Sequence, residues 1–410
     1  MVPRQGLQSV AVVGCGIAGM SAALFLARAG HRVELFERFG TRHPVGSGLL
    51  LQPPGLAVLD RLGLGERIRT LGARIDRLFG LTSPGGRRIL DVGYGTIGAG
   101  QHGIGIHRAS LFSSLHGAVA AAGIPITTGT TVVGIGRAAG GRPVLVDSSG
   151  RRHGPFDLAV DASGARSALR AQVGWRKPVH AFGFGALWTT VPVSGTAFDS
   201  AILAQRYVGA RRMVGVMPIG AAPGATGPHA AFFWSLRSDG VEAWRTAGLA
   251  KWKDELAAIW PEAARLIEGV DHPDRMVPAT YVHATVRRPV AHRLALIGDA
   301  AHATSPQLGQ GANMGLLDAA ALAAMLEAHA DLDAALAAYA AVRRRHVRFY
   351  QAASWWLTPM FQSERRFPAF LRDLAFPLAR TLPYFRRDIA YGFAGLKASL
   401  FGRLPPPDCR

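Results

Sequence analysis

Three glycines near the N terminus have the spacing of a phosphate-binding turn. Gly14, Gly16 and Gly19 form the pattern G-x-G-x-x-G directly after the β-prone run 10–13. The first glycine permits a tight turn, the second lets backbone amides approach a pyrophosphate, and the third lets a helix lie close to the strand. Glu37 lies 18 residues beyond Gly19, where a carboxylate can accept hydrogen bonds from an adenosine ribose. The pattern predicts a dinucleotide site, and the acid favours FAD or NAD over NADP.

A second strand, acid and glycine pattern lies far along the chain. Asp299 follows a predicted strand over 293–297, and the loop ATSPQLGQG leads into a predicted helix over 312–328. Asp299 could accept hydrogen bonds from a polyol chain, while the amides around Gly309 and Gly311 would direct the helix dipole at an electron-rich ring edge. The alternative is a capping aspartate with turn glycines, and the residues alone favour neither.

The elements that must position these residues indicate an α/β fold. A helix is predicted from Ile17 to Gly30, a β-hairpin over 75–92 and a helix from 106 to 121, with a loop near residue 100. Long alternating strands and a helix over 241–260 are typical of a mixed sheet. The expected domains are a dinucleotide-binding domain over 1–75, 100–173 and 287–340, a substrate-binding sheet domain over 76–99 and 174–286, and a C-terminal helical segment over 341–410.

Composition narrows the class of protein. The 410-residue chain is 49% hydrophobic with 50 glycines, which is ordinary for a glycine-rich α/β enzyme with two or three domains. Its two cysteines, Cys15 and Cys409, suggest no structural disulfide and a cytoplasmic, reducing compartment. No metal is expected, because no His and Cys cluster has ligand spacing. The uncharged stretch 9–27 lacks signal-peptide flanks and carries turn glycines, so neither a signal peptide nor a membrane span is predicted.

The C-terminal residues concentrate positive charge and aromatic side chains. The formal net charge is +19, and residues 341–410 hold 13 Lys and Arg against 4 Asp and Glu, with 13 of the 34 aromatic residues. No nucleic-acid-binding signature accompanies the charge, so no nucleic-acid partner is expected. Prolines at 359, 368, 377 and 383 predict short helices. Such helices suit either a cap on the first domain or peripheral contact with the inner face of a membrane.

With these motifs identified, the chain resembles the class A FAD-dependent aromatic monooxygenases, the family of 4-hydroxybenzoate hydroxylase and the ubiquinone-ring hydroxylases. The resemblance covers roughly residues 8–355. GCGIAG with Glu37 is similar to the family's ADP-binding fingerprint, GDAAHATSPQLGQGAN to its second FAD motif, and IHRASL to the segment whose arginine reaches the FAD phosphate and ribityl region. The implied fold is an FAD-binding Rossmann-like domain with an inserted mixed β-sheet substrate domain and a C-terminal helical segment.

The resemblance also implies which residues hold the cofactor. Asp299 would hold the ribityl chain, Asn313 and its neighbouring glycines would lie by the pyrimidine edge of the flavin, and the backbone of Val132 would meet adenine. Pro306 would lie beside the reacting edge. His302 matches a structural position, and no catalytic residue is assigned. The implied FAD-binding set is Gly14, Gly16, Ile17, Ala18, Gly19, Glu37, Arg38, Arg108, Val132, Asp299, Pro306, Gly309, Gly311, Ala312 and Asn313.

One motif departs from the family pattern. The family commonly has Ala-Asp-Gly where this chain has Ala162-Ser163-Gly164, followed by the expected Ser167 and Arg170. In the family that aspartate belongs to a segment linked to both FAD and NAD(P)H. Its replacement leaves open how a nicotinamide reductant docks. No second nicotinamide fingerprint occurs, as expected for a family that binds NADH or NADPH transiently.

The implied reaction is hydroxylation of an aromatic, polyketide-like or quinone-like small molecule by a flavin C4a-hydroperoxide formed from NAD(P)H and oxygen. The protein's part is to position the reactants and exclude water, so no acid–base triad is required. An FAD-dependent reductase or dehydrogenase on the same scaffold is the alternative, favoured by Ser163. A flavin halogenase is less favoured because no Trp-x-Trp-x-Ile-Pro segment occurs, and a non-catalytic flavin-binding protein is the third possibility. Neither the substrate nor the oligomeric state follows from the residues.

Overall fold

The computed structural model of the chain describes residues 8–40 and 47–407. Cys409, and with it the expectation about a disulfide, lies outside these residues, whereas Cys15 is buried. Within the described ranges, no helix combines the length and the apolar character needed to cross a membrane.

The β-strands fall into four sheets and run as follows along the chain. They are β1 (Ser9–Val13), β2 (Arg32–Phe36), β3 (Gly48–Leu51), β4 (Ala73–Ile75), β5 (Arg77–Thr82), β6 (Arg88–Gly93), β7 (Gly103–His107), β8 (Ile126–Thr127), β9 (Val132–Arg137), β10 (Pro143–Asp147), β11 (Arg152–His153), β12 (Leu158–Asp161), β13 (His180–Pro192), β14 (Ile202–Val208), β15 (Arg212–Ala221), β16 (Pro228–Arg237), β17 (Val277–His283), β18 (Val290–Ala291) and β19 (Leu294–Leu296).

The α-helices connect and cover these sheets. They are α1 (Ile17–Arg28), α2 (Pro53–Arg61), α3 (Gly65–Leu71), α4 (Arg108–Ala121), α5 (Val241–Ala247), α6 (Leu249–Ile259), α7 (Pro261–Leu266), α8 (Asp299–His302), α9 (Gly311–Ala328), α10 (Leu332–Phe361), α11 (Arg366–Thr381) and α12 (Pro383–Phe393).

A six-stranded sheet in the order β18-β19-β12-β1-β2-β8 positions both glycine motifs. All its neighbouring pairs are parallel except β18 with β19 at the edge. Strand β1 is buried on both faces: Val10 and Val12 pack towards the helices, and Ala11 and Val13 towards the sheet of β9 to β11. The carboxyl ends of β1, β2, β12 and β19 meet at one edge, where the strand order reverses around β1. Ligands bind at such reversal points in open α/β sheets.

A seven-stranded sheet in the order β17-β13-β16-β15-β14-β5-β6 packs beside the second glycine motif. Its pairs are antiparallel except β14 with β5, so the hairpin at residues 77–93 joins strands from residues 180–283. One face packs on α6 and α7 through residues such as Trp252 and Trp260. The other face carries Met217 and Ile219, which pack with Leu50 of β3 and Leu308 of the glycine loop. This face of the seven-stranded sheet therefore lies towards the edge of the first sheet at which the glycine motifs lie.

Helix α10 runs over 30 residues and crosses the expected boundary at 340 and 341 without a break. The prediction that four prolines divide the C-terminal region was wrong at Pro359 and Pro377, which lie inside α10 and α11. The other two prolines lie in the first turn of a helix, where a missing amide costs no intrahelical bond. Helices α11 and α12 lie against β6, at the edge of the seven-stranded sheet, and the end of α12 also contacts the first domain, where the side chain of Gln310 donates to the carbonyl oxygen of Phe393 at 2.8 Å.

Two further local predictions were wrong for reasons that depend on glycine. The run near residue 100 contains β7 instead of only a loop, because Gly105 lets this strand approach Pro218, whose carbonyl oxygen would lie 2.0 Å from a Cβ. Because β7 extends to His107, helix α4 begins at Arg108 and not at the predicted residue 106. The helix predicted over 241–260 is divided by Gly248, whose φ of +84° lies in the region that favours glycine.

Candidate functional site

The first glycine turn closes between β1 and α1. The amide of Gly14 donates a hydrogen bond to the carbonyl oxygen of Phe36 at 2.8 Å, and its φ is +105°. Gly19 allows close packing of the helix, because a Cβ there would lie 1.9 Å from the carbonyl oxygen of Gly14. At Gly16 no atom lies within 4 Å of a Cβ position. The turn and the helix packing therefore require glycine at positions 14 and 19, whereas Gly16 faces open space.

The amides that begin α1 face this open space. The first intrahelical bond runs from the amide of Met20 to the carbonyl oxygen of Gly16 at 2.9 Å. The amides of Ile17, Ala18 and Gly19 therefore precede the regular helical bonding. Free N–H groups and the helix dipole together attract an anion. The geometry fits a pyrophosphate beside Gly16.

Glu37 lies on the other side of the turn, at the end of β2. Its carboxylate accepts hydrogen bonds from the amide of Cys15 at 2.7 Å and from the amide of Phe39 at 3.2 Å. These donors fix a nearly buried carboxylate that retains lone pairs for a hydroxyl group. Arg38 is exposed, with its guanidinium 4.6 Å from the ring centre of Phe39.

The segment that leads into Val132 lies against Glu37. The amide of Thr130 donates to the carbonyl oxygen of Glu37 at 2.9 Å. The side chain of Val132 is buried at the start of β9, so only its backbone is available to an adenine. The residues expected around an adenosine are thus held in one region by backbone hydrogen bonds.

Asp299 begins α8 at the carboxyl end of β19, and its residue is exposed to solvent. The surrounding protein nevertheless raises the pKa of its carboxyl above the ordinary value, against the opposing effects of His302, Arg108 and Arg170. The exposed Arg108 begins α4 and acts electrostatically on this carboxylate. A Cβ on Gly311 would lie 3.9 Å from it, so both residues face the same space.

Arg170 fixes the backbone on which Asp299 stands. Its guanidinium donates to the carbonyl oxygens of Asp299 at 2.7 Å and Ala300 at 2.8 Å. It also donates to the carbonyl oxygen of Ala165 at 2.8 Å. The side chain is buried and connects the loop after β12 to the loop after β19.

The loop after Asp299 presents a second set of open amides. Pro306 is exposed at the start of a short 3₁₀ turn, and Gly309 ends that turn with a φ of +62°. The first intrahelical bond of α9 runs from the amide of Met314 at 2.8 Å. The preceding amides are those of Gly311, Ala312 and Asn313, which lie at the positive end of an 18-residue helix.

The Asn313 side chain is directed into the protein and stabilises the loop through hydrogen bonds to its backbone. Its oxygen accepts from the amide of Gln52 at 2.8 Å, and its nitrogen donates to the carbonyl oxygens of Leu50 at 3.1 Å and Gly309 at 2.9 Å. The residue is fully buried. A ligand at this edge can therefore use only the backbone amide of Asn313.

Asp161 organises the loop in which Ser163 replaces the expected aspartate. The Asp161 carboxylate accepts hydrogen bonds from the amide of Ser163 at 3.0 Å and from the hydroxyls of Ser163 at 2.6 Å and Ser167 at 2.5 Å. Burial raises the pKa of Asp161, while these three donors lower it. A carboxylate two residues before the expected one thus shapes this loop. Asp161 was not among the residues predicted to form the site.

A buried ionic cluster supports the second glycine motif. Asp318 of α9 accepts hydrogen bonds from the amide of Gly298 at 2.8 Å and from Arg343 at 2.7 Å, and its other contact is His302 at 2.5 Å. Arg343 also contacts His346 at 3.2 Å. His302 is therefore a structural residue of this cluster. Asp318 was not among the predicted site residues, although a lone acidic residue within an apolar helix indicates a buried ion pair.

The fold and the two sets of open amides fit a dinucleotide-binding protein of the α/β class. A family described as FAD binding domain matches residues 8–353. Aurachin C monooxygenase/isomerase of Stigmatella aurantiaca is 29% identical over 89% of this chain and 92% of the relative. FAD-dependent urate hydroxylase of Klebsiella pneumoniae is 27% identical over 82% of this chain and 86% of the relative. The crystal structure of Klebsiella pneumoniae HpxO complexed with FAD and uric acid has a TM-score of 0.79 at 21% identity, covering 95% and 98% of the two chains.

The chain belongs to the FAD binding domain family and is an FAD-dependent aromatic monooxygenase, as the resemblance predicted. The residues present fit the cofactor: Gly16 leaves room for the pyrophosphate, and Asp299 offers a solvent-accessible carboxylate. When bound, FAD supplies hydride acceptance from NAD(P)H and activation of oxygen. The open amides of α1 and α9 would bind its electron-rich groups, and Glu37 and Asp299 would accept hydrogen bonds from its hydroxyls.

Proposed function

We propose that this monooxygenase hydroxylates an apolar, electron-rich aromatic, quinone-like or polyketide-like molecule, with NADH or NADPH as the transient reductant. The observation that carries the proposal is an aromatic pair, Trp188 and Tyr281, on the sheet that faces the second glycine motif. Relatives named for aurachin C and urate support a substrate with a conjugated ring.

The aromatic pair combines a flat apolar surface with a fixed polar group. The indole N–H of Trp188 donates to the hydroxyl of Tyr281 at 3.0 Å, and the ring of Phe233 lies 4.8 Å from that of Trp188. Both members of the pair are only half-buried. Burial nevertheless raises the pKa of Tyr281 to about 12, so its hydroxyl stays protonated and can donate to a substrate oxygen.

Two backbone hydrogen bonds support a position of this pair on the side of the loop that carries Pro306. The amide of Ala284 donates to the carbonyl oxygen of Ala303 at 3.1 Å, and the amide of Val286 donates to that of Ala301 at 2.8 Å. The segment after β17 therefore runs antiparallel beside the loop after α8. Ala303, the partner of Ala284, lies three residues before Pro306 in the sequence. An aromatic substrate stacked on Trp188 would then lie beside the proposed position of the flavin edge.

The cofactor positions are proposed as follows from the contacts above. The amides of Ile17 to Gly19 bind the pyrophosphate, Glu37 binds the adenosine ribose, and Asp299 with Arg108 binds the ribityl and phosphate region. The amides of Gly311 to Asn313 face the flavin ring. On this assignment residues 1–75, 100–173 and 287–340 bind FAD, and the seven-stranded sheet binds the substrate.

The test compares Trp188→Phe with the matched control Trp244→Phe. Trp244 lies on α5, and its ring centre is 5.8 Å from that of Trp252 on α6. Aromatic candidates are supplied to the FAD-loaded enzyme with NADH or NADPH, and flavin reduction and hydroxylated product are measured. We expect Trp188→Phe to raise KM about tenfold, which corresponds to about 1.4 kcal/mol, because the N–H that orients Tyr281 is lost. The control should retain the wild-type KM. A KM unchanged by Trp188→Phe would refute the assigned substrate wall, and flavin turnover without any hydroxylated product would refute monooxygenation of these candidates.

The proposal includes a cytoplasmic location with peripheral contact at the inner face of a membrane through residues 341–410. The support is the exposure of large apolar side chains in α11 and α12, together with the positive charge of this region. Such contact would give the enzyme access to an apolar substrate dissolved in lipid.

A further inference from the structure

Helix α11 exposes its apolar side and buries a charge. Phe367, Phe370, Leu374 and Leu378 recur at helical spacing and are 71%, 64%, 46% and 59% exposed. On the opposite side, Arg372 is fully buried. A helix on the surface of a water-soluble domain normally has the reverse arrangement. The outward side of α11 is therefore suited to contact a surface that is less polar than water.

Contacts on the buried side fix this orientation. The guanidinium of Arg372 donates to the carbonyl oxygens of Gly209 and Met360, each at 3.0 Å. It also lies 5.0 Å from the ring centre of Tyr207 and 5.1 Å from that of Phe361. Rotating α11 to bury its apolar side would break these hydrogen bonds and ring contacts. The exposed apolar side is thus a stable feature of the fold.

The apolar surface continues through the turn at Leu382 into the first turn of α12 and is flanked by arginines. Leu382, Tyr384 and Phe385 are 52%, 55% and 48% exposed. We name the outward side of α11 together with this turn the apolar face. Four exposed arginines flank it at its two ends, namely Arg365, Arg366, Arg386 and Arg387.

These four arginines are not neutralised by the protein. Within the described part of the chain, none of them has a carboxylate partner, because the neighbouring acids bind other cations. Glu364 pairs with Arg211 at 3.3 Å, and Asp388 pairs with Lys397 at 2.7 Å. A surface with exposed apolar side chains and uncompensated arginines complements the interface of an anionic bilayer.

A polar cleft opens next to the apolar face. Its volume is about 330 Å³, and its charged lining consists of Arg88, Arg380, Arg386 and Asp91. Asp91 is already bound by three arginines, at 2.7 Å from Arg77, 3.1 Å from Arg88 and 3.4 Å from Arg380. The cleft therefore retains an excess of positive charge. Arginine guanidinium groups bind phosphate through paired hydrogen bonds.

We propose that the apolar face inserts into the interface of an anionic bilayer while the cleft of Arg88, Arg380 and Arg386 binds the phosphate of a lipid headgroup. This inference deepens the membrane contact of the proposed function and assigns it a surface and a ligand. The aromatic and leucine side chains supply apolar burial, and the free arginines supply attraction to anionic lipid. Contact of this kind lies on the bilayer and does not span it.

The experiment is co-sedimentation of the full-length, FAD-loaded protein with vesicles of phosphatidylcholine alone or mixed with phosphatidylglycerol, at low and high salt. We expect binding to the mixed vesicles only, weakened by salt. The variant Phe367→Ser/Phe370→Ser/Leu378→Ser should lower the partition coefficient at least tenfold. Arg386→Ala should lower it about fivefold. The matched controls, Val342→Ser and Arg265→Ala, change exposed residues outside the apolar face and should bind as the wild type does.

The outcomes separate this inference from its alternatives. Equal partition of all variants, or no pelleting with anionic vesicles, would overturn it. A second copy of the chain as the occupant would appear in light scattering as a dimer that the triple serine variant dissociates, and this would also overturn it. Loss of lipid binding by Arg386→Ala together with unchanged hydroxylation of a soluble substrate would support the lipid site independently. Vesicle binding by a protein that hydroxylates none of the aromatic candidates would leave the lipid site standing and refute the proposed reaction.

Discussion

Gly16 is the position at which cofactor binding can be separated from folding. Its backbone is extended, with φ of −87° and ψ of −174°, and a Cβ placed there meets nothing within 4 Å. Gly16→Val therefore fits the fold while occupying the space in front of the open amides of α1. Gly19→Ala is the opposite case, because its Cβ would lie 1.9 Å from the backbone oxygen of Gly14.

The expected magnitudes differ accordingly. Without cofactor, Gly16→Val should change the free energy of unfolding by no more than about 0.5 kcal/mol, whereas Gly19→Ala should lower it by about 3 kcal/mol or more. We expect the valine to weaken FAD binding at least about 100-fold. At saturation of the wild type this removes about 2.7 kcal/mol of ligand stabilisation, or roughly 3 °C in Tm for a chain of this length.

The assay uses wild type and both variants freed of flavin, with FAD titrated by fluorescence quenching and thermal unfolding followed with and without FAD. The wild type should gain stability on FAD addition, and Gly16→Val should not, although both melt at similar temperatures without it. A valine variant with wild-type FAD affinity would refute the placement of the pyrophosphate at this turn. A valine variant that fails to fold without FAD would refute the statement that Gly16 faces open space.

Three further predictions concern the buried polar groups. Asp318→Asn should cost about 3–5 kcal/mol in denaturant unfolding, because it leaves the Arg343 guanidinium buried without a carboxylate; a cost below 1 kcal/mol would contradict this. Burial lowers the pKa of His346 to about 3, so below pH 6.5 the unfolded chain binds a proton that the folded chain does not, and stability should fall by about 2 kcal/mol from pH 7 to pH 5. His346→Gln should flatten this part of the stability profile. Ser163→Asp should destabilise by about 2–4 kcal/mol, because the Ser163 hydroxyl lies 2.6 Å from the Asp161 carboxylate; wild-type stability of this variant would show that Asp161 is protonated.

Residues that impose their own local geometry could be predicted from the sequence. Gly14 and Gly19 are required by a turn and by a helix contact only a few residues away, so their spacing alone indicated the strand, turn and helix around them. The α/β class and the inserted mixed sheet followed from the strand patterns and from the family resemblance. FAD as cofactor followed from the family resemblance that these motifs carry, because Glu37 alone left FAD and NAD open.

Residues whose partners lie far along the chain could not be predicted. Arg372 looked like one more surface arginine, since its partners at Gly209 and Met360 are identified only when α11 packs on the sheet. Asp161 is a different case, because its partners Ser163 and Ser167 lie only two and six residues away, but their hydroxyls face it only once the loop has folded. Proline also misled the prediction of helix length, because α10 tolerates Pro359 in its last turn, where only one backbone bond is lost.

The distance along the chain between the two glycine motifs has a consequence for biosynthesis. The amides at Ile17 and those at Asn313 are separated by nearly three hundred residues, and the seven-stranded sheet is translated between them. A nascent polypeptide that has emerged only as far as β16 contains the dinucleotide turn but lacks Asp299 and the start of α9. On the proposed assignment of these residues to the flavin, loading awaits the arrival of the last third of the protein, and ribosome-bound intermediates shorter than this should remain colourless.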